Sequence, residues 1–214
     1  MITFVPRRLI LGTLLAAWAL PALAQSNPAL AQSADATSAS ITAPVRRLND
    51  GLLGIMKAGS AAGYQARLSR ISPVVDEAFD LPLMTRLVVG PVWTKTPAAD
   101  QAAVAAAFRK MTSARYAGSF SGFSGESFVL DPKVEARGLD RLVHTKLVRP
   151  RGTPVALDYR LRQSGGQWRI IDIYYQSSIS QIATQRSDFG RILAGGGAKA
   201  LTAHLGQLAA TAAK

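Results

Sequence analysis

The sequence predicts an α+β fold, a twisted antiparallel sheet of about four strands wrapped by helices at both ends of the chain. Three observations carry that prediction. Apolar residues recur at helical spacing up to about residue 120, switch to a period of two between residues 126 and 175, and then return to helical spacing. The segment Val155–Gln163 alternates without error, with Val155, Leu157, Tyr159 and Leu161 on one face and Ala156, Asp158, Arg160 and Arg162 on the other. The next strand, Trp168–Tyr175, is apolar on both faces, with Trp168, Ile170 and Tyr174 expected opposite Ile171, Ile173 and Tyr175. A strand with two apolar faces needs cover on both sides. Helices can supply one cover, and an apolar cavity can lie on the other side.

Each element has its own local reason. Val45, Leu48, Leu52, Ile55 and Met56 make one helical face, which Gly59 can close. Tyr64, Leu68, Ile71, Val74, Val75 and Phe79 make a second, with a break or kink expected at Pro73. Leu83–Val89 is a short helix ending at Gly90. Thr96-Pro97 reads as an N-cap followed by proline at the first helical position, opening a helix that runs towards Phe120. Glu126–Asp131 and Asp140–Arg149 are the first two strands. Ser164-Gly165-Gly166 is the tight turn of the hairpin that follows. Two helices, Ser178–Leu193 and Ala198 to about Ala210, finish the chain around Gly195-Gly196-Gly197.

The first 24 residues read as a cleaved secretory signal. Arg7 and Arg8 form its charged start, Leu9–Leu20 its apolar core, and Ala22-Leu23-Ala24 its cleavage site. A helix over that apolar core is about 18 Å long, too short for a hydrocarbon layer of about 30 Å. Residues 25–41 are small and polar and read as a flexible leader before a domain spanning residues 42–214. The chain is thus expected in the periplasm, cut after Ala24. It holds no cysteine, so neither a disulfide nor a thiolate metal site is available. The formal charge is +12, and loss of Arg7 and Arg8 with no acid leaves +10. Outside the cytoplasm, that balance favours anionic lipid headgroups or an acidic protein over nucleic acid.

Catalytic templates fail one after another. Gly118–Gly122 reads G-S-F-S-G, with Phe120 where a nucleophile elbow needs serine. Gly195-Gly196-Gly197-Ala198-Lys199 lacks the spacing of a phosphate loop. His144 and His204 are too far apart in sequence for a local metal motif. Asp172 stands in an apolar strand and could serve as a general base. An aspartate so placed more often accepts backbone N–H groups or pairs with an arginine, with Arg160, Arg169 and Arg186 as candidates.

Several ordered blocks carry a resemblance. They include Pro73-Val74-Val75, Phe79-Asp80, Leu87–Trp93, Thr96-Pro97, Ala107-Phe108-Arg109, Tyr116 and Gly125-Glu126. The Val155–Arg162 strand, Gln167–Ile173 and Arg186-Ser187-Asp188-Phe189 follow. In this order and spacing, over roughly residues 42–210, the chain resembles the periplasmic toluene-tolerance family of MlaC-like phospholipid-binding proteins. Ile179–Phe189 looks most like the hopanoid-associated HpnM branch. One departure lies at the bend Tyr174–Ser178, which has no glycine.

The resemblance implies a carrier of phospholipid or hopanoid between inner and outer membranes, with lipid tails in a hydrophobic pocket and the headgroup towards water. It implies no enzymatic activity and no cofactor. Its expected partners are an inner-membrane lipid transporter and an outer-membrane component. The pocket-lining candidates are Trp93, Tyr116, Val129, Val143, Val155, Leu157, Tyr159, Leu161, Ile171 and Ile173, and either sheet face could supply the lining. Two rivals stand beside this reading. One is a small exported enzyme using Asp172. The other is a non-catalytic adaptor that docks an acidic partner through its basic surface.

Overall fold

The computed structural model describes residues 28–213. The expected signal over residues 1–24 and its cleavage site lie outside the described residues. The described chain folds as α1 (Pro28–Ala58), α2 (Gly63–Ala78), α3 (Leu81–Val89), α4 (Ala98–Ser119), β1 (Ser127–Arg137), β2 (Asp140–Val148), β3 (Val155–Ser164), β4 (Gln167–Tyr175), β5 (Ile179–Ser180) and α5 (Gln181–Thr211). The five strands form one antiparallel meander in chain order, against the four expected.

The stretch read as a flexible leader is helical from Pro28 onward. Its composition supplies the reason. Alanine has the highest helix propensity, and proline suits a first turn because its missing N–H has no partner there anyway. Near its end, Ile41 and Thr42 are buried. Further along, α2 runs through Pro73 without a break. Thr96 does not cap α4; its hydroxyl donates back to the Val92 carbonyl (3.0 Å), and Pro97 holds the cap position.

Buried polar groups tie the helices together. Arg67 is buried, and its guanidinium donates to the Ala117 carbonyl (3.0 Å) and the Gly59 carbonyl (3.1 Å). A cation is thus set against the last carbonyls of both α1 and α4, where unsatisfied acceptors and the helix dipole favour it. Asp80 caps α3 by accepting from the Leu83 N–H (2.9 Å), while its own N–H donates to Ile170 of β4 (2.9 Å). That second bond hooks the α2–α3 junction onto the sheet. Near the end of α4, a Cβ on Gly118 would sit 2.2 Å from the Ala212 carbonyl oxygen. Glycine there lets the C-terminal ends of α4 and α5 touch. The last helix bends at Gly197, which has φ 65°, so the two expected C-terminal helices are two arms joined at that residue.

Register defines the two faces of the sheet. Val143 opposes Tyr159, Thr145 opposes Leu157, and Leu147 opposes Val155. Tyr159 opposes Ile173 and Leu157 opposes Tyr175, but Leu161 opposes Ile170. One residue of β4, Ile171, is therefore extra, a β-bulge. The expected alternation of β4 fails at this point. Trp168 and Ile170 share the inner face with Ile173 and Tyr175, and Tyr174 lies on the outer face with Asp172. Helices α1, α3 and α5 contact β4, whereas α4 packs on α2, α3 and α5 and faces the sheet across a gap.

Candidate functional site

That gap is a cavity of about 470 Å³ between the inner face of the sheet and the helices. Its closed end is built from Leu52, Phe79, Met84, Phe108, Met111 and Tyr159, all buried. Its open end is lined by Leu147, Val155, Leu157, Ile173, Tyr175 and Phe120, which are half-buried or exposed. Thr112, Arg115, Ser119, Gln181 and Gln185 supply the polar lining. Arg115 and Ser119 lie one turn apart on α4, as do Gln181 and Gln185 on α5. The geometry is a greasy slot with one cation at its rim.

The deep end is held uncharged. Burial, and secondarily the neighbouring Tyr159, push the Tyr116 phenol well above its usual range, against the opposing pull of Arg115. Burial does the same to Tyr159, partly offset by its hydrogen bond with Thr145. Both phenols therefore stay neutral at any physiological pH. Nothing ionised competes with an apolar guest inside.

The ten sequence candidates divide by position. Tyr116, Val155, Leu157, Tyr159 and Ile173 line the cavity. Val143 and Leu161 share its sheet face but are fully buried in solid core. Ile171, the bulge residue, lines a separate groove between the outer sheet face and α5. Val129 also belongs to the outer face and is 53% exposed. Trp93 packs on the core from the short helical turn after α3, and its carbonyl accepts from Gln101 Nε2 (2.7 Å). Strand parity decides Val129, since its neighbours Phe128 and Leu130 take the inner face; the bulge decides Ile171. Of the helical lining, sequence reasoning found Tyr116 and missed the rest. Phe79 and Phe108 sat in the recognised blocks, but aromatics lining a void look like aromatics filling a core. Leu147 was legible by parity, being on the same face as Val143 and across from Val155.

The rim bend that lacks glycine is built with left-handed backbone at Gln176 (φ 51°) and Ser177 (φ 58°). The Gln176 N–H donates to the Ala156 carbonyl (2.9 Å) and anchors it.

Asp172 is committed to structure. Its Oδ1 accepts from the N–H groups of Ile173 (2.8 Å) and Ile182 (3.1 Å), and its Oδ2 accepts from the Ser180 hydroxyl (2.6 Å). The Ser180 Oγ in turn accepts from the Ala183 N–H (3.0 Å) and caps α5. One carboxylate thereby fixes where the sheet ends and the last helix starts. Asp172→Ala is expected to lower unfolding free energy by about 3 kcal/mol, because it strips a charged acceptor from three donors. Urea titration measures it; a change under about 0.5 kcal/mol would contradict the anchoring role. Elsewhere on the outer face, His144 lies between Asp158 (Nδ1, 3.1 Å) and Glu135 (Nε2, 3.5 Å). Among the described residues, no group of histidines and acids has the arrangement to hold a metal ion.

The family model described as MlaC protein matches residues 46–207. The chain belongs to the MlaC family. Among solved structures, this MlaC-family chain is similar to a phospholipid-binding protein from Ralstonia solanacearum, determined in complex with a phospholipid. Identity is 22%, the TM-score is 0.68, and the match covers 82% of this chain and 99% of that one. The likeness establishes a shared fold. Among curated proteins, none matches this sequence.

Proposed function

We propose that the chain is a lipid-binding carrier of the periplasm, taking phospholipid tails into the cavity and leaving the headgroup at the rim beside Arg115. The observation that carries this reading is the gradient along the cavity. It is apolar, uncharged and closed at one end, and polar with a single guanidinium at the other. Its volume falls within the ~300–1,000 Å³ usual for small-molecule sites. The phospholipid held by the Ralstonia protein, on the same fold, supports the choice of guest.

The energetics suit transport. A tail loses about 0.8 kcal/mol per CH₂ on leaving an apolar medium, so a carrier must nearly match that loss to extract lipid. It must not exceed it by much, or delivery stops. A smooth apolar wall with few fixed polar contacts meets both demands. Against it, the enzyme reading has lost its base to a structural role, and the adaptor reading has no use for a cavity. The carrier would exchange its cargo with an inner-membrane transporter and an outer-membrane component.

Native mass spectrometry of the purified protein, followed by lipid extraction, is the test. Co-purified phospholipid is expected. A lipid-free protein that takes up none from vesicles would refute the proposal. A hopanoid in the extract would keep the carrier reading and assign the chain to the branch that Ile179–Phe189 resembles. Arg115→Glu is expected to weaken uptake of a fluorescent phosphatidylglycerol by about tenfold, the worth of one charge-assisted hydrogen bond. Its stability should stay within about 0.5 kcal/mol of wild type, since the side chain is exposed.

A further inference from the structure

We infer that the open end of the molecule is a membrane-docking face that settles on anionic phospholipid bilayers. The inference rests on the carrier reading and adds where and how the carrier meets its donor or acceptor surface. Three loops converge at that end. The β2–β3 loop, residues 149–154, lies just beyond the cavity-lining pair Leu147 and Val155. The α4–β1 loop, residues 120–126, abuts it, since a Cβ on Gly125 would sit 3.1 Å from Pro150 Cγ. The bend at residues 176–178 is tied to Ala156.

The chemistry of these loops is cationic and apolar together. Arg149 donates only to the Thr153 carbonyl of its own loop (3.1 Å). Arg149, Arg151 and Arg115 all lack an acidic partner among the described residues. Within the three loops the one acid is Glu126, whose carboxylate accepts from the Ser124 N–H; Asp131 and Asp158 line a groove on the outer face beside Ser177. By contrast, Arg137, Arg160 and Arg162, farther along the sheet, are each matched by a carboxylate. Beside the free arginines stand exposed Phe123 (42%), Tyr175 (39%) and Ile179 (48%), the last two directly opposite each other across β4 and β5. Lys57 lies over the Phe123 ring at 5.5 Å and adds a further cation. Guanidiniums beside exposed aromatic and branched side chains suit an interface with phosphates outside and hydrocarbon beneath. Docked this way, the cavity opens onto the bilayer rather than onto water, so a tail need not cross solvent.

Cosedimentation with vesicles of phosphatidylcholine alone, or containing one-third phosphatidylglycerol, tests the inference. The intact protein should bind the anionic vesicles at least about tenfold more tightly, and 0.5 M salt should erase most of that preference. Arg149→Glu/Arg151→Glu should lower binding to anionic vesicles by tenfold to a hundredfold, on the basis of roughly fivefold per charge near the surface. Arg149→Gln/Arg151→Gln should show a smaller loss and serves if the reversal fails to fold. Lys133→Glu/Arg137→Glu, the same charge change at the far end of β1, should stay within about twofold. Equal binding to both vesicle types, no effect of either loop variant, or an equal loss in the far-end control would each overturn the inference. Lipid occupancy of the same samples, read by native mass spectrometry, reports separately on the carrier reading.

Discussion

Ile173→Trp is expected to empty the protein of co-purifying lipid without unfolding it. Ile173 is half-buried on the inner face of β4 and borders the void at its open half. An indole at that position grows into free space, so the 1–3 kcal/mol usual for overpacking a filled core does not apply in full. It would occupy the path of the tail. Excluding about three methylenes from burial costs the guest about 2.4 kcal/mol, a loss of about fiftyfold in affinity. Native mass spectrometry should find less than a tenth of wild-type occupancy. Val129→Trp on the outer face should leave occupancy unchanged. Full occupancy in Ile173→Trp would mean that the lipid sits elsewhere. The opposite behaviour is expected at Leu161, which lies on the same face but is fully packed. Enlargement there should cost stability rather than binding.

Asp140→Ala is expected to cost about 2–3 kcal/mol of stability by breaking an ion network on the outer face of the sheet. Asp140 is 1% exposed, and its carboxylate accepts from Arg160 Nε (2.6 Å), Arg162 Nε (2.6 Å) and Arg162 Nη2 (3.0 Å). Truncation leaves two guanidiniums on neighbouring positions with no counter-charge. Both are partly open to water, which keeps the cost at the lower end for a broken buried pair. Burial alone would raise the Asp140 pKa. The hydrogen bonds from Arg162 and Arg160, with their charges, outweigh burial and hold it below the usual carboxylate range. Its contribution is therefore complete above the unfolded value of about 3.9 and disappears as pH falls through the depressed folded value. The stability gap between wild type and Asp140→Asn should be constant from neutral pH to about pH 5 and close below pH 4. A gap unchanged at pH 3 would exclude the ion network as its source.

Much of this architecture could be read from side-chain spacing. The alternation of Val155–Gln163 gave β3 its faces, and those faces agree with the register of β2 and β4. Elements whose signal is negative were harder. The chain from Pro28 to Ile41 is polar and small, so it has no apolar stripe to mark a helix, yet alanine stabilises one without a stripe. The candidate site was half legible for a related reason. A side chain facing a void has the same chemistry as one facing a neighbour, and only the arrangement of α4 across from the sheet separates Ile173 from Leu161. The polar rim was invisible for another reason. Arg115 and Gln185 read as ordinary solvated positions until α4 and α5 meet the end of the sheet.

The extra residue at Ile171 has a consequence for how this lineage can change. On either side of it, odd and even positions of β4 exchange compartments, so that residues 173 and 175 face the cavity while residues 172 and 174 face out. Drawing that residue into the regular ladder would turn Asp172 and Tyr174 towards the guest and send Ile173 and Tyr175 into water, whereas deleting it would leave all four on their present faces. Point substitutions in β4 can tune the cavity one side chain at a time. A one-residue insertion or deletion elsewhere in the strand, with the bulge kept, inverts every position beyond it, so the length of the strand and its bulge are constrained together.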